Sequence, residues 1–134
     1  MKHRAVYVLL LFTMGYVHFA AAETQPLDAR AAIRVFAEAR ALSDKDAGDM
    51  WGVALYGPML LVDRETRHAL ANATDEAGVL QPDGDAYAGV MPDSVGLANT
   101  AVWWSGKRWT MILWPLPEDG FARRALIAHE LWHR

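Results

Sequence analysis

His129 and His133 stand four residues apart, with Glu130 beside the first, in the run His129-Glu130-Leu131-Trp132-His133. At 3.6 residues per turn, side chains at that spacing lie one above the other on the same helix face. Two imidazoles so placed can grip one divalent metal ion. Glu130 lies about 100° further round the helix. From there its carboxylate can reach a water on the metal without ligating the metal itself. Zinc lowers the pKa of such a water, and a neighbouring carboxylate can take its proton. The usual target is a polarised peptide carbonyl. His-Glu-x-x-His on a helix is the motif for this arrangement. The bland alternative is an amphipathic helix with two surface histidines.

The elements around the motif agree with it. A final helix is expected to start around Glu118 or Asp119, where acidic side chains suit the positive end of the helix dipole, and to run through residues 121–134. Ala122, Ala125 and Leu126 share the histidines' face, which predicts that this face looks inward. Arg123 and Arg124 lie away from it. Pro115-Leu116-Pro117 separates this helix from the strongest strand signal in the chain. There, residues 101–104 and 109–114 flank Ser105-Gly106-Lys107, the pattern of a hairpin. The second run is apolar at nearly every position, as in a strand covered on both faces.

Further upstream, Leu27, Ala31, Phe36, Ala39 and Leu42 recur at helical spacing, and loop chemistry over residues 43–49 ends that helix. Residues 51–56 and 59–62 read as two strands, or one strand broken at Gly57-Pro58. A turn at 63–66, a strand at 67–72, a loop-like stretch at 73–86 and a short strand at 87–91 follow. The order is helix, strands, hairpin, helix. That is an α+β fold: an antiparallel or mixed sheet with an N-terminal helix and a C-terminal helix that carries the motif.

Residues 101–134 resemble the core of the zincin metallopeptidases, most of all the gluzincin branch. The resemblance rests on the His-Glu-x-x-His helix and the strand before it, about a quarter of the chain. It implies Zn2+ held by His129 and His133, Glu130 as general base, and a peptide or protein substrate. It also implies a strand whose edge binds the substrate backbone, here expected near residues 109–114, and a third zinc ligand, a glutamate on a later helix. Nothing follows Arg134 in this sequence, so the chain reads as a C-terminally truncated, inactive fragment of such a protein. A third ligand from Glu118, Asp93 or His68 is the internal alternative. The competing function is a non-catalytic exported domain that keeps the helix as structure.

Composition bounds these readings. The chain has 134 residues, enough for one domain, and 53% hydrophobic residues make it globular rather than disordered. A formal charge of −3 argues against a nucleic-acid binder, which would carry a basic face. Lys2, His3 and Arg4 precede an apolar run over residues 5–17, and Ala20-Ala21-Ala22 follows. That is the pattern of a secretory signal peptide, with cleavage after Ala22. The run falls short of the roughly 20 apolar residues a membrane anchor needs. Removing Lys2 and Arg4 takes the basic side chains from 13 to 11 against 16 acidic, a charge of −5 for residues 23–134. The expectation is a single periplasmic or secreted domain over 23–134, with no stable membrane span after processing and an oligomeric state left open. With no cysteine in the chain, its core must hold it without disulfides. Three further features read as structure. Residues 44–49 lack the Gly and distal acid of a calcium loop. Asp83-Gly84-Asp85 is a turn. Trp103, Trp104, Trp109 and Trp114 are sheet packing more than a ligand groove.

Expressed in a bacterial host, the chain is expected in the periplasm with Glu23 as its first residue, as read by intact mass. A product that keeps residues 1–22 in the membrane fraction would replace the signal peptide with an anchor.

Overall fold

The computed structural model describes residues 25–134, so the expected signal peptide lies outside the described residues. Two helices and a six-stranded mixed sheet make an α+β fold. The elements are α1 (Ala29–Asp46), β1 (Met59–Asp63), β2 (His68–Ala71), β3 (Gln81–Asp83), β4 (Ala86–Val90), β5 (Thr100–Trp104), β6 (Lys107–Trp114) and α2 (Gly120–His133). Among the described residues no helix is long and apolar enough to cross a membrane.

The sheet order is β3-β4-β2-β1-β6-β5. β1 and β6 run parallel, and every other pair is antiparallel. Side chains alternate across a strand, and β6 splits accordingly. Ile112 faces both helices, with Met59, Leu61 and Leu70. Trp109, Met111 and Leu113 face the other side, where Leu80, Met91 and Val95 from the loops cover them. The doubly covered strand expected from its apolar run is therefore present.

α1 begins where Asp28 accepts the Ala31 amide at 2.7 Å. An Asp in this capping position satisfies an amide the helix leaves free. It ends at Ala47, whose φ of 48° is left-handed. The strand expected over residues 51–56 does not form. Positive φ at Gly48 and Gly52 turns the chain there, and the Leu55 and Tyr56 amides donate to the Ser43 hydroxyl, each at 3.0 Å. Amides used in that way cannot enter a ladder. Strand β3, absent from the sequence reading, is three exposed residues on the sheet's edge and leaves no hydrophobic pattern to detect.

The β5–β6 hairpin turns on Ser105 and Gly106, both with positive φ, the conformation that matches strand twist in a two-residue turn. A Cβ on Gly106 would run into the Glu76 carboxylate. The turn is tied down through Asp75, which is buried. Its carboxylate accepts from the Leu80 amide at 2.8 Å, the Ser105 hydroxyl at 2.8 Å and the Val79 amide at 3.2 Å. Burial pushes this carboxyl upward, but those hydrogen bonds outweigh it and hold it below its ordinary value.

A depressed carboxyl contributes stability above its unfolded value, about 3.9, and loses it as pH falls through the folded value. Asp75→Ala is expected to cost about 1–3 kcal/mol at neutral pH. The gap between the two proteins should narrow below about pH 4. Urea unfolding at both pH values checks this, and a gap independent of pH would refute the account.

Candidate metal centre

Helix α2 starts where Asp119 accepts the Ala122 amide at 2.8 Å. Its axis is held by packing on β6, β5 and α1. Ile127 and Leu131, one turn apart, are buried in the core shared with α1 and the sheet. On the same side Arg123 bonds Glu38 of α1 at 2.9 Å. The hydrogen bond and charge of Glu38 raise the Arg123 pKa further.

This orientation reverses one expectation. The face bearing Ala122, Ala125, His129 and His133 points outward, and all four are exposed. The interior is taken by the face of Ile127 and Leu131, which fit the core shared with α1 and the sheet, and burying them removes far more apolar area from water than burying Ala122 and Ala125 would. Leu126 lies between the two faces and is half-buried.

The structure brings His129 and His133 together. Their Nε2 atoms are 2.9 Å apart, so one ring can donate its Nε2–H to the other. The ring centroids are 4.6 Å apart at an interplanar angle of 77°. Two nitrogens at about 2.0–2.1 Å from a tetrahedral zinc are about 3.3 Å from each other. The pair needs to open by only a few tenths of an ångström to fit. The donor chemistry suits zinc as well, since imidazole nitrogen is one of its ordinary ligands.

Glu130 turns inward instead, at 4% exposure, and its Oε2 has no hydrogen-bond partner. Among the described residues no group of three His, Cys, Asp or Glu side chains is placed to hold a metal ion. Glu118, Asp93 and His68 therefore do not complete the pair. Asp93 lies 3.5 Å from Arg67, and His68 begins β2.

The last helical turn is expected to fray, because its carbonyls lack partners. Here it is clamped. Arg108 of β6 donates to the His133 carbonyl at 2.9 Å. Arg134 donates to the Leu55 and Tyr56 carbonyls at 3.2 and 3.3 Å. Its guanidinium lies against Gly57, where a Cβ would collide with it. Sequence reasoning missed these two arginines and Gly57. Their contacts join residues distant in the chain, and no spacing rule reports them.

The expected substrate-binding edge also shifts. β6 is bonded to β1 on one side and β5 on the other. It pairs with β1 along Thr110–Trp114 and with β5 along Lys107–Met111, and beyond Met111 the Leu113 amide donates to Asn99 Oδ1 at 2.8 Å, so little of residues 109–114 is free to bond a further strand. The free edge on this side of the sheet belongs to β5, where Trp103 is exposed. The core reading holds for Trp109, which is fully buried and donates to the Trp104 carbonyl at 2.9 Å.

His129→Ala and His133→Ala are each expected to weaken zinc binding by more than the 10–100-fold typical of losing an outer-shell partner. Competition with a chromophoric chelator measures this, with circular dichroism to show an intact helix. Equal affinity in the parent and both variants would remove the ligand assignment.

Compared with protein-family models, curated proteins and solved structures, the chain finds no match.

Proposed function

We propose that the chain is part of an exported zinc-dependent hydrolase of peptide bonds. The observation that carries this reading is the 2.9 Å convergence of the His129 and His133 Nε2 atoms on a helix with the His-Glu-x-x-His pattern. His129 and His133 would hold the metal, and a third protein ligand would come from outside the described residues. Zinc, when bound, supplies Lewis acidity that polarises a carbonyl and makes water a nucleophile at neutral pH.

The chain's own residues do the rest. Arg108 and Arg134 hold the last turn, and with it the spacing of the two imidazoles. Glu130, buried in this structure, would take the proton of the attacking water once its side chain swings from the core toward the histidine face. Its Oε2 has hydrogen-bonding capacity that no protein group uses. The free edge of β5 is available to bond an extended substrate backbone, the role the zincin resemblance assigns to a strand beside this helix. Export rests on the basic, apolar and small-residue order of residues 2–22.

The burial of Glu130 favours a second reading, in which the domain is exported but not catalytic. Glu130→Gln separates the two. In a form of the protein that carries its third ligand, the variant is expected to keep zinc and lose peptide hydrolysis by about 10²–10⁴-fold. A quenched fluorescent peptide library reads the activity, and metal analysis reads the zinc. Undiminished cleavage would remove Glu130 as the base, and no cleavage by the parent protein would leave the non-catalytic domain.

A further inference from the structure

The outward face of α2 is unusual for a surface helix. Phe121 is 77% exposed and Trp132 52% exposed, with Ala125 and Ala128 exposed between them. Met50, 73% exposed, and Trp51, 46% exposed, extend this apolar surface from the neighbouring loop. Trp51 and Trp132 meet at 5.8 Å between ring centroids, and Trp132 meets His133 at 5.4 Å. The two imidazoles thus sit beside an exposed apolar collar, and Trp132, Met50 and Trp51 carry no charge to repel a like surface. Scattered apolar residues are ordinary on a surface, but a contiguous group marks an interaction site.

The metal chemistry identifies the occupant. Zinc in a closed site takes four ligands, and this face offers two convergent nitrogens with no third donor beside them among the described residues. A two-fold axis through the metal doubles two ligands to four. It also apposes the collar of one copy to that of the other, as a self-complementary interface requires. Resting only on the metal-binding half of the reading above, we propose that zinc pairs two copies of this chain. His129 and His133 of each copy close one tetrahedral site, and the collar of Trp132, Met50 and Trp51 is buried between them. Four imidazoles leave no open position on the metal.

Sedimentation velocity with metal analysis tests this on the purified chain. Half an equivalent of zinc is expected to double the mass, with one zinc per two chains, and a chelator should reverse it. His129→Ala and His133→Ala should stay monomeric with zinc present. Trp132→Glu, at an exposed position, should weaken pairing by about tenfold or more, as loss of an interface anchor does. A monomer holding one zinc overturns the pairing and leaves the metal reading intact. A chain that takes up no zinc removes both. A dimer that persists in chelator or in His129→Ala removes the metal's part in pairing. Unchanged pairing in Trp132→Glu removes the collar.

Discussion

Ile127 and Leu131 fix the rotation of α2, and the rotation decides what every other side chain on that helix can do. Both are buried in the core that β1, β2, β6 and α1 share. Burying each stabilises the fold by about 1.5–3 kcal/mol. Turning the helix to bring the histidines inward would expose both and leave alanines in their place. The helix therefore presents His129 and His133 outward and carries Glu130 inward with the core residues. The side-to-side relation of the histidine pair and the carboxylate follows from 3.6 residues per turn. Their relation to solvent follows from the packing of Ile127 and Leu131 in the core.

Rotation alone would not make a grip. A pair of imidazoles at the end of a helix is only as well placed as that end. Arg108 reaches up from β6 to the His133 carbonyl, and Arg134 crosses Gly57 to two carbonyls of the segment before β1. The Ser43 hydroxyl holds that same segment against α1 by accepting two of its amides. Asn72 ties its far end, accepting the Met59 amide at 2.7 Å and donating to the Gly57 carbonyl at 2.9 Å. The spacing of the two Nε2 atoms thus depends on four polar side chains scattered over the chain, each satisfying backbone groups that no ladder uses.

Beneath this clamp the packing is not fully satisfied. Thr110 Oγ1, Glu130 Oε2 and Arg134 Nε are buried without a hydrogen-bond partner. Thr110 lies two residues from Ile112 on β6, so it shares the face that α2 covers. An unpartnered buried polar group costs about 1–3 kcal/mol. Asp46 Oδ2, at the end of α1, is a fourth such atom. The ion pair of Arg123 with Glu38, at the other end of α2, has no such deficit.

Periodicity and turn chemistry alone determined the α+β class, the presence of α1 and α2, the β5–β6 hairpin and the double covering of β6, while α1 runs on to Asp46, through residues that read as loop. Each is set by interactions between near neighbours, so each leaves a local pattern. The four-residue spacing of His129 and His133 likewise put them one turn apart on one helix face, within reach of each other. Only the tertiary structure decided that they lie on the solvent side, since the packing of Ile127 and Leu131 against α1 and the sheet sets the rotation of the helix. It also decided that residues 51–56 forgo a strand for the Ser43 hydroxyl, and that β5, not β6, keeps a free edge. The clamp of Arg108, Arg134 and Gly57 belongs to the same class. These outcomes depend on contacts between residues far apart in the chain, and spacing along a sequence carries no record of which distant partner a side chain will find.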